Sequence, residues 1–359
     1  MATSITFKNG NLTNNNISSV AISNHRTITF TKSPGTLIYC NSPERIRSEH
    51  LAESGKRLNR VTVTTDTAQV FASYINEVSG GDNVYLGIRI TNPNPYDITV
   101  TKLNNGYNTG STKTDEVQLG AYTSFFNNNP NTPYIIGEGD SVWLARDLLM
   151  NSTFFELLLR FSTTGTCIVT VYAYKNINNV NGNETQCGYV FSDNNMVNEY
   201  SGKGDTYFIQ SNIELPSASL LNSLNNSYYY WLADCAANNT NEMVAIEMCQ
   251  GGSAYCTASD ARNLGNFGVQ YYFNVTLKNT SPGRRVKFIG TMGSNADSSF
   301  PLLQSGSSTV GKWMQGAKSW EFYESETLNY GTSKTIEFQF MPGSQASAAT
   351  FMQWKVVEV

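Results

Sequence analysis

The sequence predicts an all-β protein: two tandem antiparallel β-sandwich domains of jelly-roll-like design, related by an internal duplication. Three observations carry that expectation. Apolar residues alternate with period two almost throughout, small polar turn formers stand where charges would usually be, and the same turn residues recur in the same order in both halves.

The alternation is clearest in "NVYLGIRIT" (83–91). It sets Val84, Leu86, Ile88 and Ile90 on one face and Tyr85, Gly87 and Arg89 on the other. "YDITVTKL" (96–103), "CIVTVYAY" (167–174), "VQYYFNVTLK" (269–278), "TIEFQFM" (335–341) and "FMQWKVVEV" (351–359) follow the same pattern. Each is β-branched or aromatic and bounded by Asn, Gly, Ser and Pro clusters, as antiparallel strands are. Helical patterns are confined to 45–58 and 142–161, and the second reads equally well as strand, turn and strand.

The duplication is read from turns. "IRITNPNPYDITV" (88–100) and "VTLKNTSPGRRVKF" (275–288) are both strand, Asn/Pro turn, strand, with Asn92 matching Asn279 and Pro95 matching Pro282 at one offset. Each half then has a Gly-led strand (137–145 and 331–340) and a closing alternating strand (166–174 and 350–358). The polar link 175–186 marks the boundary, giving domains 1–180 and 181–359.

Of the 359 residues 40% are hydrophobic and 12% aromatic, while only 14% are charged and the net charge is −4. Disorder needs low hydrophobicity with high net charge, so this chain is expected to fold. No basic stripe is present to neutralise phosphates, which sets nucleic acid aside as a partner. No apolar run approaches the ~18 residues of a membrane span. The opening "MATSITFKNGNLTNNNISSV" lacks a basic start followed by an apolar run, so the expected location is the cytoplasm of the producing cell or its spore, with the extracellular surface as the alternative.

"NSPERI" (41–46), the Asn-Pro turn at 92–95 and "NFGVQYYFNVTLKN" (266–279) together resemble surface proteins of spore-forming bacteria associated with copper-amine-oxidase-like N-terminal domains. The resemblance covers most of 37–359. It implies paired β-sandwiches and association with spores, and it brings no catalytic residues.

Catalytic patterns are sparse. There is no G-x-S-x-G elbow, and His25 and His50 sit in polar segments that read as surface. Asp234, Glu247, Glu321, Glu324 and Glu326 lie near strand ends and read as solvated strand faces rather than a glycosidase pair. In "DNNMVNEYSGKGD" (193–205), Asp193, Asn195, Glu199 and Asp205 form a weak calcium candidate without EF-hand spacing, where turn chemistry is the simpler reading. No cofactor and no catalytic residue is expected.

The binding candidates are "NSYYYWLADC" (226–235) and the cysteines. In a strand, Tyr228 and Tyr230 point one way and Tyr229 and Trp231 the other. The run reads as a strand covered on both faces, as a platform for stacking on sugar, or as a self-association surface rich in the residues interfaces favour. Cys40, Cys187, Cys235, Cys249 and Cys256 are candidates for bridges between molecules, with Cys249 and Cys256 also able to close a short loop. The expected function is a non-enzymatic structural protein that self-assembles into an ordered array, crystal or spore-associated coat. The alternative is a binding module for glycan or protein.

Overall fold

The computed structural model describes residues 2–15, 25–51, 55–111, 114–175, 201–233, 246–249, 262–263, 265–294, 298–344 and 350–359. The chain is all-β. It begins with β1 (Thr3–Ser4), β2 (Thr13–Asn14) and β3 (Thr31–Lys32), then β4 (Thr36–Cys40), β5 (Arg45–Ile46), β6 (Lys56–Val63), β7 (Thr67–Asn76), β8 (Val84–Thr91) and β9 (Ile98–Gly110). Helix α1 (Thr114–Asn127) precedes β10 (Thr132–Ile136), β11 (Ser141–Leu149), β12 (Phe154–Thr163), β13 (Cys167–Tyr174) and β14 (Ser201–Gly204). There follow β15 (Phe208–Pro216), the short helix α2 (Ser217–Leu221), β16 (Ser227–Ala233), β17 (Ile246–Cys249), β18 (Arg262–Asn263), β19 (Gln270–Lys278) and β20 (Val286–Ser294). The chain ends with β21 (Ser298–Ser299), β22 (Pro301–Ser305), β23 (Ser308–Gly311), β24 (Met314–Gln315), β25 (Lys318–Glu324), β26 (Ser333–Pro342) and β27 (Thr350–Glu358).

These elements form two units. The mid-chain unit comprises Pro34–Tyr207 and Ile246–Asn263, and the terminal unit comprises Met1–Ser33, Phe208–Ala245 and Leu264–Val359. The division differs from a single cut after residue 180. The first 33 residues complete the unit formed by the end of the chain, because β1, β2 and β3 all pair with its strands.

In the mid-chain unit one sheet runs β10-β9-β12-β7-β4-β14-β17-β18 and the other β11-β8-β13-β6. Their facing residues, Val70, Leu157 and Leu159 from the first and Leu86, Ile88, Val169 and Val171 from the second, share one aliphatic core. α1 covers the other face of the longer sheet. Val117, Gln118, Ala121, Tyr122 and Phe125, spaced three and four apart, form its buried stripe, and Asp115 and Glu116 suit the positive end of the helix. Gly106 on β9 permits this approach, since a Cβ there would collide with the Ala121 carbonyl and the Phe125 amide.

The helix replaces both expected ones. Residues 45–58 hold β5, a single 3-10 turn at Ser48–Leu51 and the start of β6, while 142–161 is the strand, turn and strand of β11 and β12. His50, expected at the surface, is buried at 7% exposure, with its Nδ1 accepting a bond from the Arg47 amide at 3.0 Å to close that turn.

In the terminal unit one sheet runs β23-β22-β26-β19-β15-β3, with β1 beside β26, and the other β16-β27-β20-β25-β2. An aromatic core joins them: Phe322 lies 5.2 Å from Phe338 and 5.8 Å from Trp354. Not every pairing is antiparallel. β4 and β5 run parallel to β7, β15 to β19 and β1 to β26, so parallel ladders enter where segments are added beside the hairpin-connected strands. No helix among the described residues is long and apolar enough to cross a membrane.

Candidate ligand-binding groove

The aromatic run 228–231 lies within β16, at one end of its sheet and paired with β27. Tyr228 and Tyr230 oppose Trp354 and Met352, which puts them on the face turned towards the other sheet. Tyr229 and Trp231 take the opposite face, with Phe351 at 6.2 and 5.7 Å. Tyr229, Tyr230 and Trp231 are 8%, 5% and 9% exposed, and the Gln353 amide donates to the Tyr229 hydroxyl at 3.0 Å. The strand covered on both faces is therefore what the chain builds. As an open self-association surface the run is corrected: of the four rings only Tyr228 is half-buried.

Residues 25–33 form a strap along the free edges of both sheets of this unit. At one end the Arg26 amide donates to the Tyr229 carbonyl at 2.7 Å, extending β16. At the other, β3 pairs with β15 and the Ser33 amide donates to the Phe208 carbonyl at 3.0 Å. Phe30 anchors the middle, edge-on to Tyr271 at 5.4 Å and to Phe273 at 6.0 Å.

Strap, β15 and β16 enclose an open groove of about 420 Å³ whose walls include Arg26, Thr29, Asn212, Glu214, Tyr228 and Tyr230. The Arg26 guanidinium sits over the Tyr228 ring, 4.6 Å from its centre, an arrangement that fixes both side chains. Glu214 is held by the Lys278 ammonium at 2.9 Å, and the Asn212 side-chain oxygen accepts from the Asn274 amide at 3.2 Å. Burial raises the Tyr230 hydroxyl pKa, and neighbouring Tyr228 adds to the shift while Arg26 opposes it, so the phenol stays protonated and able to donate. The groove thus combines ring surface, a cation, a carboxylate, an amide and hydroxyls. Sequence reasoning found the rings but missed Arg26, Asn212 and Glu214, which come from segments nearly 200 residues apart and carry no local pattern.

The remaining candidates fall elsewhere. Cys40, on β4, is a free thiol at 0% exposure whose pKa burial pushes up to about 12, so it neither bridges molecules nor reacts readily. Cys167 is likewise free and buried. Cys249 ends β17, and Cys187, Cys235 and Cys256 lie outside the described residues. So do Asp193, Asn195 and Glu199; Asp205 follows β14, and among the described residues no cluster of three or more His, Cys, Asp or Glu assembles for a metal ion. Glu324 is drawn down to about 2 by Lys8 and Lys287, and Glu326 is lowered by Lys334. Those carboxylates are paired surface charges rather than poised acids.

In the mid-chain unit the Lys102 ammonium reaches the Leu144 carbonyl at 2.7 Å, and partial burial raises the Asp147 carboxyl to about 6, with Lys102 opposing the shift. No pattern in the sequence marked this pair.

No family model matches the sequence, and no curated protein matches it. Among solved structures, the secreted serine protease VesC from Vibrio cholerae is 13% identical, with 80% of this chain and 50% of that chain covered and a TM-score of 0.18. The CUB1-EGF-CUB2 region of human MASP-1/3 is 8% identical, with 80% and 99% covered and a TM-score of 0.18. Oxalate decarboxylase from Bacillus subtilis is 9% identical, with 92% and 79% covered and a TM-score of 0.12. The chain spans half the length of the Vibrio protease, and at such TM-scores none of these likenesses bears on fold or function.

Proposed function

We propose that this chain is a non-enzymatic β-sandwich protein that binds a polyhydroxylated ligand, a short glycan segment, in the groove of its terminal unit. The observation that carries the reading is the groove's lining. Tyr228 offers ring surface for the apolar face of a sugar with the edge of buried Tyr230 beside it, while Arg26, Asn212, Glu214 and Thr29 offer donors and acceptors for its hydroxyls. Its volume of about 420 Å³ falls within the ~300–1,000 Å³ usual for small-molecule sites. Arg26 and Tyr228 are already stacked, so less side-chain freedom is lost on binding.

A glycan array followed by calorimetry tests this. A ligand should emerge whose affinity falls about five- to thirtyfold in both Tyr228→Ala and Arg26→Ala, each removing about 1–2 kcal/mol of contact. Binding that both substitutions leave unchanged, or no glycan binding at all, would overturn it.

Self-assembly into an ordered array or spore-associated coat is the second reading. A chain with only 14% charged residues does little to keep copies apart, and the N-terminal arm supplies strands that need not come from the same molecule.

A further inference from the structure

The arm, described over residues 2–15 and 25–33, is the segment whose role the groove does not exhaust. Its strands lie on the terminal unit, and most partners are some 200 to 330 residues away in sequence. β1 runs parallel to β26 with Thr3 opposite Ile336, β2 lies on β25 with Thr13 opposite Ser319, and β3 lies on β15. Between β1 and β2, the Lys8 amide donates to the Phe322 carbonyl at 2.8 Å and the Trp320 indole donates to the Lys8 carbonyl at 3.1 Å. After β2, the Asn15 side-chain amide donates to the Ser294 and Lys318 carbonyls at 2.8 and 2.6 Å. The Lys8 ammonium reaches Glu324 at 2.8 Å and also contacts Glu321.

This attachment is rich in directional bonds and poor in buried apolar surface. Among the arm's described side chains Ile5 is buried, Phe7 and Phe30 are half-buried, and Thr3, Ser4, Thr13 and Asn14 are exposed. A segment held by edge ladders and a few anchors is released at less cost than one threaded through a core. A second copy presents identical edges, so the same bonds form between molecules, and protein concentration decides which form prevails.

We propose that the arm exchanges between copies, its strands completing the terminal unit of a neighbouring chain. This deepens the self-association reading and rests on it. Reciprocal exchange gives a closed dimer, whereas head-to-tail exchange gives an open chain of molecules. The acceptor is specific to this arm: Lys8 meets the Glu321–Glu324 pair, and Asn15 meets two carbonyls at fixed spacing.

The test places one cysteine on each side of the arm contact, in different chains. The Thr13 and Ser319 hydroxyls lie 3.1 Å apart, so a Thr13→Cys chain and a Ser319→Cys chain can form this bridge only if the arm of one lies on the edge of the other. The two full-length chains are mixed at high concentration, treated with a mild thiol oxidant and run on denaturing gels, with peptide mass identifying the 13–319 bond. Light scattering measures native mass in parallel. A 13–319 cross-linked dimer that increases with concentration is the expected result. Native mass above 39.6 kDa without that cross-link would overturn arm exchange and leave self-association standing. A single-chain mass with no cross-link would overturn both. A Thr13→Cys/Ser319→Cys double variant, which must form the bond within one chain or between two, reports whether the contact itself is present.

Discussion

Asn92 in the mid-chain unit and Asn279 in the terminal unit occupy corners built alike. Both are buried, at 0% and 1% exposure. The Asn92 side-chain amide donates to the carbonyls of Tyr96, Ile136 and Gly137, and its oxygen accepts from the Asn94 amide at 2.9 Å. That of Asn279 donates to the carbonyls of Arg284 and Leu328, and its oxygen accepts from the Ser281 amide at 3.0 Å and the Ser217 hydroxyl at 3.0 Å. Their backbones match as well. Asn92 bonds to Asp140 and Gly139, Asn279 to Thr332 and Gly331, and both glycines have positive φ. The ladders around them correspond too: β9 lies between β10 and β12 with β7 beyond, as β20 lies between β25 and β27 with β16 beyond.

The filling differs. The core between the mid-chain sheets is mainly Val, Leu and Ile, with Tyr74, Phe155 and Phe161 among them and no tryptophan, whereas the terminal core is built on Trp320, Phe322, Phe338 and Trp354, with Gly290 leaving space where Phe322 and Trp354 approach. The connection after β9 carries α1, whereas the connection after β20 carries short strands. One pairing plan thus tolerates unlike cores as long as its corner amides are satisfied. Close packing is met by total volume and shape, but a buried carbonyl needs its own donor.

The largest expected effect breaks the comparison at the cores. Trp354→Ala removes a fully buried ring that touches both sheets and should destabilise the terminal unit by about 4 kcal/mol. Leu157→Ala should cost the mid-chain unit about 3 kcal/mol. Four of the five tryptophans, at 231, 313, 320 and 354, lie in the terminal unit, so intrinsic fluorescence follows chiefly that unit during urea unfolding. Trp354→Ala should move the fluorescence midpoint, and Leu157→Ala should move it far less. Equal movement would mean the units unfold as one.

The corners give the next effect. Asn92→Ala takes a donor from the Tyr96 and Ile136 carbonyls, Gly137 keeping the Asp140 amide, and should cost about 3 kcal/mol; Asn279→Ala takes one from the Arg284 carbonyl, Leu328 keeping the Val286 amide, and should cost about 2 kcal/mol. Hydrogen exchange on the 92–97 and 279–284 turns checks both. An effect below about 0.5 kcal/mol at either corner would show that the resemblance is one of shape without energetic content.

These corners were legible in the sequence because Asn and Pro at a strand end state their turn chemistry locally. The long strands were legible for a similar reason. "NVYLGIRIT" became β8 (Val84–Thr91), with one buried face repeating every second residue, and "CIVTVYAY" became β13 (Cys167–Tyr174), buried at all but Ile168. α1 was missed because Gly120 and a run of Thr, Ser and Asn dilute its stripe, and what seats it is Gly106 on another strand. The groove was half legible. Tyr228 and Tyr230 announce themselves, but Arg26 reaches Tyr228 only because the strap crosses from β16 to β15. Two-residue strands such as β1 and β2 have no period to detect, so the arm could be seen only in its pairings.

The smallest effect sharpens the comparison through pH, because the two units titrate with opposite sign. In the mid-chain unit, burial raises the Asp147 carboxyl from 3.8 to about 6. The folded chain then holds a proton that the unfolded chain has lost, so stability falls as pH rises through that window. In the terminal unit, Lys8 and Lys287 hold Glu324 at about 2 against an ordinary 4.5, so its stabilisation is present above 4.5 and is lost as pH falls towards 2. Asp147→Asn should therefore stabilise the mid-chain unit by about 1–2 kcal/mol at pH 7 and hardly at all near pH 4. Lys102 keeps its bond to the Leu144 carbonyl in that variant, so no buried cation is left without an acceptor. Thermal unfolding at both pH values, followed by hydrogen exchange on β11 and on β25, separates the units. A gain that is the same at both pH values would mean that folding leaves the Asp147 pKa where it stands in the unfolded chain, with Lys102 offsetting burial.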